Sequence, residues 1–167
     1  MSEKVERVYK ELKETIGEAV GEPVAALDGI LTFFVNKLVI PQVLNFLKNH
    51  REVAFDLLTD ITAVDWLNMP GKDARFELVY HLCSTANNHR VRIKAKIEEG
   101  DLKTPSATAV YLAADWLERE IYDMFGIVFD GHPDLRRILT WEGFEGYPLR
   151  KDFPTRGLRP IERTPYS

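Results

Sequence analysis

Three carboxylates and a guanidinium fall within six residues: Glu118, Arg119, Glu120 and Asp123. Two carboxylates that converge on a cleft with separated pKa values can act as general acid and base. On a helix, Glu118 and Glu120 lie two positions apart and point to different sides. Only Glu120 and Asp123, three apart, share a flank, beside Trp116. Arg119 stands four residues before Asp123, at the spacing of an ion pair that would hold Asp123 ionised. No histidine follows at the Glu-x-x-His spacing of carboxylate metal sites. A solvated flank of this kind contributes only a few tenths of a kcal/mol per pair, on the order of 0.2–0.5. Acids fixed on a rigid helix can also meet arginines from an arm or a partner. Ion-pair helices outnumber carboxylate active sites, so the pattern favours a structural cluster over catalysis.

Other chemistry-bearing residues give less. His132 precedes Pro133, which predicts an extended backbone suited to orienting one contact. Arg136-Arg137 and Arg150-Lys151 have the charge to bind phosphate. No glycine-rich phosphate loop accompanies them, which argues against a nucleotide site. The single Cys83 excludes an internal disulfide or a cysteine-built cluster, and its mid-strand place predicts a small core residue. The net charge of −4 argues against nucleic-acid binding by the whole chain.

These residues need a frame. Val5, Val8, Tyr9, Leu12 and Ile16 recur at helical spacing behind Ser2, a candidate N-cap, and Gly17 ends the run. "ILTFFV" predicts a buried strand. Pro41 then fits the first turn of a helix with Ile40, Val43, Leu44 and Leu47 on its apolar stripe. The middle reads as antiparallel sheet. "ITAVDW" leads into a turn at residues 69–73, and Phe76, Leu78, Tyr80 and Leu82 share one strand face. Asn87-Asn88 marks another turn. Val91, Ile93, Ala95 and Ile97 then alternate with Arg92, Lys94, Lys96 and Glu98. Ser106 is placed to cap a long helix through Phe125, with a possible break near Ala113, and Gly126 is placed to end it. Its stripe is Leu112, Ala113, Trp116, Leu117, Ile121, Met124 and Phe125. The fold class is α+β: mostly antiparallel sheet of about four strands packed by two or three helices, with an extended C-terminal arm.

The composition changes after Asp130. Residues 131–167 hold five Pro and four Gly and carry a net charge of +2, against −6 for residues 1–130. Their apolar content is too low for a core of their own, yet five aromatic side chains argue against disorder. The division is an α+β body, 1–130, and an extended, proline-punctuated, aromatic-bearing arm, 131–167. The N-terminus lacks an apolar signal region, and no apolar run approaches the length that spans a bilayer, which predicts a cytoplasmic protein.

The run EREIYDMFGIVFDGHPDLRRIL, continued by GYPLRKDFP, resembles the signature of the 30 kDa-type subunit of respiratory complex I, which in bacteria is the C subunit of NADH-quinone oxidoreductase. The resemblance spans roughly residues 30–154. It implies a non-catalytic member of the peripheral arm on the cytoplasmic face of the membrane. That member packs against the large D subunit, of the forty-nine-kilodalton type, and its C-terminal segment wraps over neighbours. The resemblance implies no cofactor in this chain. FMN, iron–sulfur clusters and quinone belong to partner subunits, which pass electrons from NADH to quinone with proton translocation. On this reading Glu118, Arg119, Glu120 and Asp123 form a structural cluster. Arg136, Arg137, Arg150 and Lys151 are its candidate counter-charges in cis or in trans, with His132 and Asp152 in the same motif. The equivalent subunit of a related membrane-bound hydrogenase, or of a ferredoxin-dependent quinone oxidoreductase, is the alternative.

Overall fold

The computed structural model describes residues 3–157. The candidate cap Ser2 and the end of the arm lie outside the described residues. Helix α1 (Glu3–Ile16) is followed by a short strand β1 (Val24–Ala25) and by β2 (Leu31–Val35). Helix α2 (Ile40–Asn49) leads to three nine-residue strands: β3 (Leu57–Asp65), β4 (Phe76–Ser84) and β5 (His89–Ile97). Strands β6 (Lys103–Pro105) and β7 (Val128–Asp130) flank helix α3 (Ala114–Phe125).

The main sheet has five strands in the order β1-β2-β5-β4-β3. β3, β4 and β5 form an antiparallel meander, as their alternation and turns predict. β2 instead lies parallel to β5, with Phe33 opposite Ile93. The sheet is therefore mixed. β2 and β5 are joined through α2 and two further strands, a long-range pairing that no local pattern encodes. β6 and β7 pair in parallel as a separate small sheet. Their pairing closes the loop that contains α3.

One sheet face is dry. Phe33, Phe76, Leu78, Tyr80, Leu82, Val91, Ile93, Ala95 and Ile97 pack there against Ile40, Val43, Leu44 and Leu47 of α2 and Val8 and Leu12 of α1. The stripes predicted for α2, β4 and β5 are thus the buried ones. The other face is tiled with ion pairs: Arg92 to Asp28, and Lys94 to Glu77, each at 2.6 Å. Cys83 lies on that side and is half-buried, outside the core.

Helix α3 starts at Ala114, eight residues after Ser106. Residues 107–113 form turns, and Ser106 caps nothing in α3. Ile121, Met124 and Phe125 are buried, but Leu112 (89% exposed) and Trp116 (63%) face outward. The expected wide apolar stripe is therefore narrower, because the broken first turn points its side chains away from the sheet. Gly126 ends the helix in the left-handed conformation at φ +76°, and its N–H donates to the Tyr122 carbonyl. Among the described residues, no helix is long and apolar enough to cross a membrane.

Candidate functional site

Glu118, Glu120 and Asp123 of α3 have three different fates. Glu120 is exposed on the helix flank. Glu118 is fully buried. Its Oε2 accepts from the Ser106 hydroxyl and its Oε1 from the Ala107 N–H, both at 2.6 Å. The carboxyl thereby pins the turns before α3 to the helix. Burial pushes its pKa up, and the two hydrogen bonds pull the other way without prevailing.

Asp123 is also fully buried, and it is the centre of the site. Its Oδ2 accepts three successive backbone N–H groups: Ile138 at 3.1 Å, Leu139 at 2.8 Å and Thr140 at 2.8 Å. Its Oδ1 accepts from Arg137 Nη1 at 2.8 Å and from the Thr140 hydroxyl. The three N–H groups form an anion-binding concavity that holds a side-chain carboxylate from the protein's own helix. Burial alone would raise this pKa. The Thr140 hydroxyl and N–H, the Leu139 N–H and Arg137 overcome it and set it at about 2.

The expected pairing of Arg119 with Asp123 is not made. Arg119 stacks on Trp116, with its guanidinium 5.0 Å from the ring centroid, and donates from Nε to the Arg136 carbonyl at 3.1 Å. Asp123 points inward and Arg119 runs along the surface, so i,i+4 spacing does not bring them together. Glu120 and Asp123 likewise do not converge.

A second clamp lies one turn further on. Arg150 Nε donates to the Phe125 carbonyl at 2.7 Å, and its guanidinium sits over Tyr147 at 4.4 Å and Phe76 at 5.3 Å. Leu149 N–H donates to the Met124 carbonyl. A Cβ added to Gly126 would meet the Tyr147 ring at 2.5 Å and the Arg150 guanidinium at 2.7 Å. The glycine therefore serves both the positive φ and the close approach of the arm.

Sequence reasoning missed the third clamp. Lys151 N–H donates to Asp65 Oδ2 at 2.9 Å, while the Lys151 side chain is exposed. Arg75, almost wholly buried, bridges Asp65 at 3.3 Å, Asp152 at 2.6 Å and Glu99. Burial opposes ionisation of Asp65. The Lys151 and Leu67 N–H groups and Arg75 outweigh it and hold the carboxyl below its usual range. A buried acid at the end of the β-strand "ITAVD" was the one available signal. Arg75 carried none, since it sits beside a turn.

His132 is fixed at both ring nitrogens. Nδ1 accepts from the Asp134 N–H, so Nε2 carries the proton and donates to the Asp115 carbonyl, each at 3.0 Å. Arg136 is exposed and pairs with Asp134. Among the described residues, no group of three or more His, Cys, Asp or Glu is placed to hold a metal ion. A groove of about 510 Å³ lies elsewhere, on the outer side of the sheet, between Phe34, Leu38, Lys94 and Lys96.

The class defined by this fold and site is an α+β body whose buried carboxylates fix the segment that follows it. The chain belongs to the family of the respiratory-chain NADH dehydrogenase 30 kDa subunit, whose model matches residues 33–159. It is 49% identical over 151 residues to the C subunit of NADH-quinone oxidoreductase from Rhizobium etli, covering 89% of this chain and 74% of that one. A solved trypsin-resistant fragment (1–134) of Nqo5 is similar at 29% identity and a TM-score of 0.64, covering 79% of this chain and 99% of the fragment. A chain of a membrane-bound sulfane sulfur reductase, an archaeal respiratory membrane complex, is similar at 30% identity and a TM-score of 0.74. That match covers 92% of this chain and 87% of the other.

Proposed function

We propose that this chain is the C subunit of an NADH-quinone oxidoreductase of the complex I type, a member of the peripheral arm that supports assembly. The observation that carries this reading is the 49% identity over 151 residues to a protein of that name. The family match includes the whole anchored motif from Glu118 to Asp152. The resemblance to a sulfane sulfur reductase chain, at 30% identity, is the weaker of the two and gives the second reading.

In this reading the chain supplies no reacting group. Glu118 and Asp123 are committed to holding Ser106, Ala107 and residues 137–140. FMN, iron–sulfur clusters and quinone sit in partner subunits. The principal partner is the large D subunit, and the complex lies on the cytoplasmic face of the membrane. Glu118, Asp123, Arg137, Arg150 and Asp152 shape the arm, and Glu120, Arg119 and Arg136 remain at the surface for contacts.

The test is affinity purification of the native complex through a tag on this chain, with every co-purifying chain identified. Recovery with the large D subunit and a flavin-binding, NADH-oxidising subunit supports the reading. Recovery with the subunits of a membrane-bound sulfane sulfur reductase, and without an NADH-oxidising subunit, supports the second reading instead. Recovery of the chain alone contradicts both.

A further inference from the structure

The arm is not a loose strap between residues 137 and 150. Residues 137–140 are tied to Asp123, Leu149 N–H to Met124 and Arg150 to Phe125. Both ends of one loop are therefore bound to three consecutive residues at the end of α3. Such a loop projects its middle outward. That middle carries Trp141, 71% exposed, between Leu139 (61%) and Leu149 (53%). Trp141 meets the Phe144 ring edge-on at 4.7 Å, and Phe144 stacks on Phe153 at 5.9 Å. The tryptophan rests against an aromatic base and stays largely exposed.

The charges are sorted by direction. Arg137 and Arg150, the sequence's candidate counter-charges, turn inward to Asp123, the Gly146 and Phe125 carbonyls, and the Tyr147 ring. Between Leu139 and Leu149 the only charged residues are Glu142 and Glu145, and both are exposed. An arm of net positive charge thus presents an apolar tip with an acidic border.

We propose that residues 139–149 form a preorganised docking knob. Its Trp141 inserts into an apolar pocket rimmed by Lys or Arg on a neighbouring subunit of the complex. The inference rests on the reading that the chain belongs to such a complex, and it names the chemistry of the contact. A large aromatic anchor in a desolvated pocket is the residue type that dominates interface energies. Anchoring both loop ends lowers the ordering cost of binding. A like-charged, acidic rim would repel Glu142, which selects the basic one.

The experiment co-expresses tagged wild-type chain with an equal amount of a Trp141→Ala or Glu142→Lys variant carrying a distinguishable tag. The ratio of the two in the purified complex is then measured. Trp141→Ala is expected at roughly one-tenth of wild type or less, since loss of a hot-spot anchor costs at least about tenfold in affinity. Glu142→Lys is expected to fall several-fold. Equal incorporation of Trp141→Ala overturns the proposal while leaving complex membership intact. Failure to recover wild type in any complex overturns both. The isolated full-length Trp141→Ala chain is expected to melt with wild type, and a large loss of stability would show that Trp141 serves the fold instead. A wild-type chain that dimerises, with a monomeric Trp141→Ala variant, would make a second copy the occupant and refute the partner pocket.

Discussion

Replacing Asp123 with Asn removes one charge and keeps the shape. The amide still offers one acceptor, but its nitrogen faces donors, and Arg137 loses its counter-ion. In the folded chain the Asp123 carboxyl titrates at about 2, against an ordinary value of 3.8. At about 1.36 kcal/mol per unit, that difference corresponds to about 2.5 kcal/mol of stability at neutral pH. Breaking a buried pair costs about 3–5 kcal/mol. Arg137 keeps 23% of its side chain exposed and can recover some hydration, so the expected loss lies near the lower end, about 3 kcal/mol. For a domain of this size that lowers Tm by roughly 6–12 °C. The assay is urea unfolding of the full chain from pH 7 down to pH 3. Because the folded pKa is depressed, the wild-type contribution is complete above the ordinary carboxyl range and is lost as pH falls toward 2. The gap between wild type and Asp123→Asn should therefore narrow by about 1 kcal/mol by pH 3. A gap under about 1 kcal/mol at pH 7, or one that does not change with pH, would refute the reasoning.

Glu118→Gln should leave stability within about 1 kcal/mol of wild type at pH 5 and gain relative to it as pH rises. The raised folded pKa of Glu118 means that wild type loses stability on ionisation at high pH, and paired denaturation curves at pH 5 and 9 measure this. Gly126→Ala meets a left-handed backbone that costs about 1–2 kcal/mol and also displaces Tyr147 and Arg150. Hydrogen exchange should then show faster exchange in residues 147–151 than in β4. Arg75→Met leaves Asp65 buried with only backbone donors. It should destabilise the chain by about 3 kcal/mol in urea unfolding, with Asp152 freed to solvent.

Much of the body was legible because its periodicities are local. The stripe of α2, the alternation of β4 and β5 and the stop at Gly126 each follow from neighbouring residues. The parallel seating of β2 on β5 was not legible, since some sixty residues separate partners such as Leu31 and Val91. On the charged helix, spacing pointed to one partner for Asp123 and the fold supplies another, Arg137, which the sequence offered only as one of four candidate counter-charges. Helical spacing suggested Arg119 for Asp123, whereas the chain returns Arg137 to it from fourteen residues on. Spacing rules count neighbours on one helix and cannot count a strand of backbone that folds back over its end. The same limit hid the Asp65–Arg75–Asp152 cluster, whose members are up to 87 positions apart. The low apolar content after Asp130 signals a segment too poor in apolar side chains for its own core. It could not signal that backbone N–H groups at residues 138–140 and 151 would find carboxylates on the body.

The most direct measurement is site-resolved amide exchange on the isolated full-length chain at Ile138, Leu139 and Thr140. If Asp123 holds these three N–H groups, they exchange slowly in wild type and at near-unstructured rates in Asp123→Asn, while the β4 amides stay protected in both. Fast exchange at all three in the wild-type chain would mean that the carboxylate does not gather the arm, and the account would fail.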